Sequence, residues 1–332
     1  MLILKVVRAA LVFLAVQTLL AGTAQAQQYP SRPIKILVGF APGGATDLIA
    51  RLYALHLKEA LNTPVIIENK PGASELTAIR AVLAAPADGY TLLLAAGGSL
   101  TLGPAIRKDL PYDPLKDFSH VAIVATAPGV FFVNPTVPAR SIGELINYAK
   151  ENPGKLNYGS AGVGSSSHLQ MEYLLMMSGV SMTHIPYKAT NESTQAVAGG
   201  SVQVGLAPAQ PVIALAADGR LRAIAITNTR RLPAFPNVPT MEESAPGELK
   251  GMNSYTYYGL VGPARIPPEI IQKISDAINK VSSMPEVTNR MRDGFSADPT
   301  TSSPASTRQH MEKEFLRWRE VGKNLKTETS GG

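Results

Sequence analysis

The chain has no cysteine, one tryptophan and only five histidines among its 332 residues. The missing cysteines exclude disulfides, zinc–thiolate sites, iron–sulfur ligation and a cysteine nucleophile. His56, His120, His168, His184 and His310 are dispersed, and no H-e-x-x-h pattern links them, so no metal site is expected. Charged residues make up only 17% of the chain and form no long run of one sign. The formal charge of +6 is therefore too diffuse to indicate a nucleic-acid partner. No second apolar stretch matches the one at the N-terminus.

That first stretch reads as an export signal. Lys5 and Arg8 precede an apolar run from Ala9 to Gly22, and Thr23-Ala24-Gln25-Ala26 supplies the small residues a signal peptidase needs. The run is shorter than the ~20 residues of a membrane span. Residues 1–26 are thus expected to be removed near Ala26/Gln27, placing the mature protein in the periplasm. Removal takes Lys5 and Arg8 with it, leaving 306 residues of formal charge +4. That length suits two lobes.

Beyond the signal, strand and helix patterns alternate. Strands are expected over 34–38, 65–67, 90–95, 121–125, 130–133, 157–158, 183–187, 202–206, 221–227 and 255–261. Helices are expected over 46–61, 75–84, 141–150, 166–178, 192–198 and 211–217, and again from Pro267 onward. Ser141 and Glu144 have capping-box spacing. Met311, Phe315 and Trp318 form an apolar stripe suited to core packing. The alternation implies an α/β fold of parallel sheets with crossover helices.

Two glycine-rich turns stand where strands hand over to helices. The first runs Phe40-Ala41-Pro42-Gly43-Gly44-Ala45-Thr46-Asp47, with Thr46 and Asp47 available to cap the helix or face a ligand. The second runs from Tyr158 through Gly159-Ser160-Ala161-Gly162-Val163-Gly164-Ser165-Ser166-Ser167 to His168. Here Ser166 reads as the cap and His168 as a first-turn residue. Glycine lets backbone approach a ligand, and a helix start offers unpaired amides with partial positive charge. Together they suit a carboxylate without a cationic side chain. Neither turn closes with the Gly-Lys-Ser/Thr of a P-loop, and no G-x-S-x-G elbow occurs. Ser165 or Ser166 beside His168 is the residual hydrolase reading, but no acidic partner can be assigned.

These turns sit within a longer collinear series. It includes Tyr29-Pro30-Ser31-Arg32-Pro33-Ile34, Glu68-Asn69-Lys70-Pro71-Gly72-Ala73 and Pro86-Ala87-Asp88-Gly89-Tyr90. It continues through Leu110-Pro111-Tyr112-Asp113-Pro114, Asn152-Pro153-Gly154-Lys155-Leu156, His184-Ile185-Pro186-Tyr187-Lys188 and Pro236-Asn237-Val238-Pro239-Thr240. The series resembles the extracytoplasmic solute receptors of the tripartite tricarboxylate transporter family, also called Bug receptors. The resemblance implies a two-domain Venus-flytrap fold, each domain a mostly parallel sheet flanked by helices. Residues 27–125 with 225–332 would form one domain and 126–224 the other, hinged near Ala125 and Ala225. It implies a non-enzymatic, cofactor-free, monomeric receptor that passes a small carboxylate to a membrane permease. A sensor that presents its ligand is the alternative of the same fold.

By the same resemblance Gly43, Gly44, Ala45, Thr46 and Asp47 form one wall of the ligand site, and Ser160, Gly164, Ser165 and Ser166 the other. Phe40, Ser74, Ala207 and Gln210 complete the expected contacts. Asp47→Ala and Ser166→Ala would then weaken binding and leave the fold intact. Two departures bear on the ligand. Ser74-Glu75-Leu76-Thr77-Ala78 stands where the family commonly has Gly-Gly-Asn-Ile-Gly. Glu75 either faces the cleft, where it would repel a second carboxylate and favour an ammonium or hydroxyl, or faces solvent in a first helical turn, the preferred reading. Ala207-Pro208-Ala209-Gln210 replaces an aromatic residue and Asp-Asn, opening room for a larger or more apolar acid, aromatic acids included.

Overall fold

The computed structural model describes residues 29–323 apart from 228–229, 245–246, 248, 250–251 and 253–254. The signal segment and its cleavage point lie outside the described residues. The chain divides at Ser31 into two units, and the fold below is that of the second, from Arg32 onward.

The first lobe is built on β1 (Ile34–Val38), α1 (Ala45–Ala60), β2 (Val65–Asn69), α2 (Leu76–Leu83) and β3 (Thr91–Ala96). β1 lies between β2 and β3 and runs parallel to both. All but Lys35 of β1 and all but Thr91 of β3 are buried, as expected of strands covered on both faces. A π-helical turn over Gly98–Leu102 runs into the short α3 (Gly103–Ile106).

β4 (Phe118–Val133) then crosses from one sheet to the other. Its residues up to Pro128 pair antiparallel with β9 (Tyr255–Pro263), which also pairs with β3. From Gly129 onward it pairs with β7 (Val204–Pro208) and β8 (Arg222–Ile226). The two strands expected at 121–125 and 130–133 are thus one continuous 16-residue strand. Pro128-Gly129, which falls between the two expected strands, is carried inside it. Ala125 pairs with Tyr258 in the first sheet and Ala225 with Phe131 in the second.

The second lobe comprises α4 (Ile142–Glu151), β5 (Asn157–Ser160), α5 (Ser166–Ser178), β6 (Thr183–Pro186), α6 (Thr190–Ala198), β7, α7 (Gln210–Ala217), β8 and α8 (Met241–Ser244). β5 is parallel to both β6 and β7. The Ser141 hydroxyl accepts from Glu144 N–H, while the Glu144 carboxylate accepts from Arg140 N–H, one residue off the expected box. The chain then returns through β9 to α9 (Pro268–Ser282), α10 (Pro285–Asn289), β10 (Asp298–Pro299) and α11 (Pro304–Gly322).

Each lobe has its own core, one around Leu37, Ile79, Leu93, Val261 and Met311, the other around Phe131, Tyr158, Met171, Leu174 and Ile224. The expected stripe on α11 divides between them. Met311 joins the first core, while Trp318 is buried against Leu102 of one lobe and Leu169 of the other. The last helix is therefore a second tie between the lobes. No described helix is long and apolar enough to cross a membrane.

Candidate functional site

The C-terminal ends of β1, β3, β5 and β7 face a cavity between the lobes, where open parallel sheets commonly bind ligands. Its volume, about 50 Å³, is far below the several hundred of a pocket for drug-sized molecules and suits a compact ligand. Gly129, at the crossing of β4, forms part of its lining.

The first turn brings Phe40, Gly44, Ala45 and Thr46 to the cavity. Gly44 is the N-cap of α1, with no side-chain cap, so neither Thr46 nor Asp47 caps the helix. The amides of the first turn have no intrahelical acceptors and point out of the helix end. Gly43 and Asp47 stand behind this wall. Gly43 takes φ +82, a conformation glycine adopts without strain, and donates its N–H to Asp47 Oδ2 at 2.9 Å. The same carboxylate accepts from Arg51 and from Asn69, each at 2.9 Å. Burial pushes the Asp47 carboxyl up, but these three donors outweigh it and hold it below the ordinary value of 3.8. Asp47 is buried and shapes the turn, and it does not line the cavity.

The second turn brings Ser165 and Ser166 to the opposite wall, with Ala161 and Ser167. The cap of α5 is Ser165, whose hydroxyl accepts from His168 N–H, and not Ser166 as expected. Ser166 is the first helical residue, and its buried Oγ has no hydrogen-bond partner. One turn on, Gln170 lines the cavity at 2% exposure with Oε1 also unpartnered. A buried polar atom left unpaired costs about 1–3 kcal/mol. Two of them on one wall of a cavity mark where a ligand would bond.

Gln170 was not among the expected residues. Its signal was a lone amide at i+4 from Ser166, inside a helix otherwise apolar on that side. A third helix start was also missed. Ala189 is the N-cap of α6, and Ala189 and Thr190 line the cavity. The expected helix began only at Glu192, which hid the Ala189–Thr190 turn. Tyr258 and Thr256 from β9 complete that side, and nothing in their apolar strand pattern announced them. Among the described residues lining the cavity none carries a charge at pH 7.

The remaining expected residues lie around the cavity. Ala207 lines it; Gln210 does not. Ser160 is fully buried, its hydroxyl 2.6 Å from His184 Nε2. Gly164, at φ +80, donates to His168 Nδ1 at 3.1 Å. His168 and His184 stack with centroids 4.1 Å apart, and Tyr158 stacks on His184 at 4.8 Å. Burial pulls the His168 imidazole down to about 3, aided by His184 and Arg107, and pulls His184 down to about 4. The His168 imidazole spends Nδ1 on a backbone amide and makes no bond to Ser165 or Ser166 Oγ. Ser165 Oγ accepts from the His168 main-chain N–H instead, so the ring is not placed as their base.

Ser74 lies on the seam between the lobes, donating to Val163 O at 2.8 Å. Glu75 does not face solvent, as had been expected. It precedes α2 at φ +72 and is 1% exposed. Ala73 and Ser74 share this left-handed conformation, at φ +46 and +50. A non-glycine residue there costs about 1–2 kcal/mol, so three in a row are held by the contacts around them.

The seam is tightest at Gly98. A Cβ there would lie 2.5 Å from Ser166 N and 2.8 Å from Ser166 Oγ. Among the described residues, no group of three or more His, Asp or Glu side chains could hold a metal ion.

A family model described as "Tripartite tricarboxylate transporter family receptor" matches residues 49–326. Protein BugT of Bordetella pertussis is 32% identical over 312 residues, covering 92% of this chain and 94% of BugT. A protein of R. palustris solved with adipate superimposes with TM-score 0.83 at 30% identity, covering 90% of this chain and 98% of that one. MatC from Rhodopseudomonas palustris with bound malate gives TM-score 0.83 at 29% identity, covering 89% and 100%.

Two substitutions check this geometry. Asp47→Ala strands three donors and should lower stability by about 1–3 kcal/mol in urea unfolding, contrary to the expectation of an intact fold. In wild type this contribution is present above pH 3.8 and is lost as pH falls through the lowered Asp47 pKa. Gly98→Ala puts a methyl against the Ser166 backbone and should weaken ligand binding at least tenfold in calorimetry, with a loss of stability of about 1–3 kcal/mol in urea unfolding.

Proposed function

Because the chain belongs to the tripartite tricarboxylate transporter receptor family, we propose that it is a periplasmic receptor for a small carboxylate. On this reading it hands that ligand to the permease subunits of a tripartite tricarboxylate transporter. The observation that carries the ligand class is a charge-free cavity onto which the starts of α1, α5 and α6 converge. Each helix start favours an anion by roughly 0.3–1 kcal/mol, and more where partly buried. Bonds from amides to a charged ligand add to this in a site screened from water. Ser166 Oγ–H can donate to the carboxylate, and Gln170 Oε1 can accept from a hydroxyl on the same ligand. The adipate and malate held by the R. palustris proteins are of the same class.

Ala207 and Pro208 keep one side of the cavity small and apolar, which favours an acid with a hydrocarbon or aromatic part. The proposed lobes are 27–125 with 225–332, and 126–224. Closure would turn about the crossing of β4 at Pro128-Gly129, beyond Ala125, and about the return after Ile226. The receptor is proposed to act as a monomer without a cofactor.

A thermal-shift screen of mono-, di- and tricarboxylates checks the reading. At about a hundred times its dissociation constant a ligand adds ~2.7 kcal/mol of stability. Ser166→Ala and Gln170→Ala should each weaken that ligand about tenfold in calorimetry. Unchanged affinity in both would refute the site. The export reading has its own check: N-terminal sequencing of the native protein should begin at Gln27, and an intact Met1 would refute it.

A further inference from the structure

Asp47 and Glu75 are the two buried carboxylates among the described residues. Asp47 has Arg51; Glu75 has no cationic partner. Its side chain runs beneath both loops that leave the first sheet toward the cavity. A Cβ on Gly39 would meet Glu75 Cβ at 2.5 Å, so the base of the first turn rests directly on it. Glu75 Oε2 accepts the Ala96 N–H at 3.2 Å and the Ser99 hydroxyl. Phe40, next to Gly39, and Ala96 itself both line the cavity. Glu75 therefore lies one residue layer under the site, and its Oε1 is buried without a partner.

The titratable groups facing it are Tyr258 from β9 and Tyr112 from the segment before β4. Burial raises both phenols, and the Glu75 charge would raise them further, so both stay neutral through pH 9. An ionised Glu75 would thus stand desolvated, uncompensated, and close to any anion in the cavity. Resting on the proposed carboxylate reading, we propose that Glu75 is a specificity-determining residue that couples capture of an anionic ligand to uptake of one proton.

The proton comes from solvent and settles on Oε1, because Oε2 already accepts two bonds. Protonation removes the uncompensated charge beneath the site without bringing Glu75 into its lining. The pairing favours carboxylates that bring no ammonium group to this end. Burial pushes the carboxyl up to about 8, against the Ser99 and Ala96 bonds that pull it down. Glu75 is then already protonated at pH 7, and proton uptake on binding begins above that value. His168 and His184, neutral above about pH 4, do not titrate in this range.

Calorimetry of wild type and Glu75→Gln with malate, adipate and benzoate from about pH 6.5 to 9.5 tests this. Two buffers of different ionisation enthalpy report the protons taken up. Wild type should hold a constant Kd below about pH 7.5 and weaken up to tenfold per pH unit above about 8. Uptake should approach one proton per ligand at the top of the range. Glu75→Gln, whatever its affinity, should lose both effects; if it does not fold, the wild-type buffer pair decides alone. A pH-independent Kd without proton uptake, or an affinity that rises with pH, overturns the proposal and leaves the carboxylate reading standing. Failure of all three acids to bind at about 10 mM overturns both.

Discussion

Everything at the site depends on one strand being shared by two sheets. β4 pairs with β9 up to Pro128 and with β7 and β8 from Gly129. Its hydrogen-bond ladders fix how the lobes face each other, and with that which helix ends meet. Gly129 makes the shared strand compact at the crossing. A Cβ there would lie 2.7 Å from Leu206, and its N–H donates to Thr227 Oγ1 at 2.7 Å. α11 adds a second tie through Trp318. The lobes are thereby joined by ordered elements on two sides.

Within that frame the site solves a specific electrostatic problem. As the proposed carboxylate receptor it would have to hold an anion and still release it, and its described lining carries no cation. Helix starts provide fixed partial charges that need no reorganisation, and the buried Asp47 holds the first of them in place by gripping Gly43. The side chains that carry charge are set behind the walls, where they shape backbone. Asp47 and Glu75 make the contrast plain. One is compensated by Arg51, Gly43 and Asn69 and held below its ordinary value; the other has no counter-charge and is pushed well above it by burial.

Much of this was legible in the sequence. Both glycine-rich turns were visible because glycine and short polar residues at a strand–helix handover have few other uses. The alternation of apolar runs placed most elements to within a few residues. What stayed hidden depended on tertiary contact. Pro128-Gly129 carries a local turn signal, yet pairing on both sides keeps it extended. Glu75 follows Pro71-Gly72 and looks like an exposed helix start, but the left-handed backbone at 73–75 turns it inward onto Ser99. Gln170 and Tyr258 lie within largely apolar elements, and only the folded geometry shows that they line a cavity.

The bond that closes the mouth of the cleft has an uneven chemistry. Ser74 contributes a side-chain hydroxyl, while its partner at Val163 is a main-chain carbonyl. Position 163 can therefore change its side chain freely, since every residue carries that acceptor. Position 74 has no such latitude: the residue there must bear a short donor and also sit at φ +50. That freedom is confined to position 163. Its neighbours Gly162 and Gly164 sit at φ +107 and +80, and a Cβ on Gly162 would lie 2.7 Å from Ser74 Oγ, so both sides of the seam are constrained around one tolerant residue.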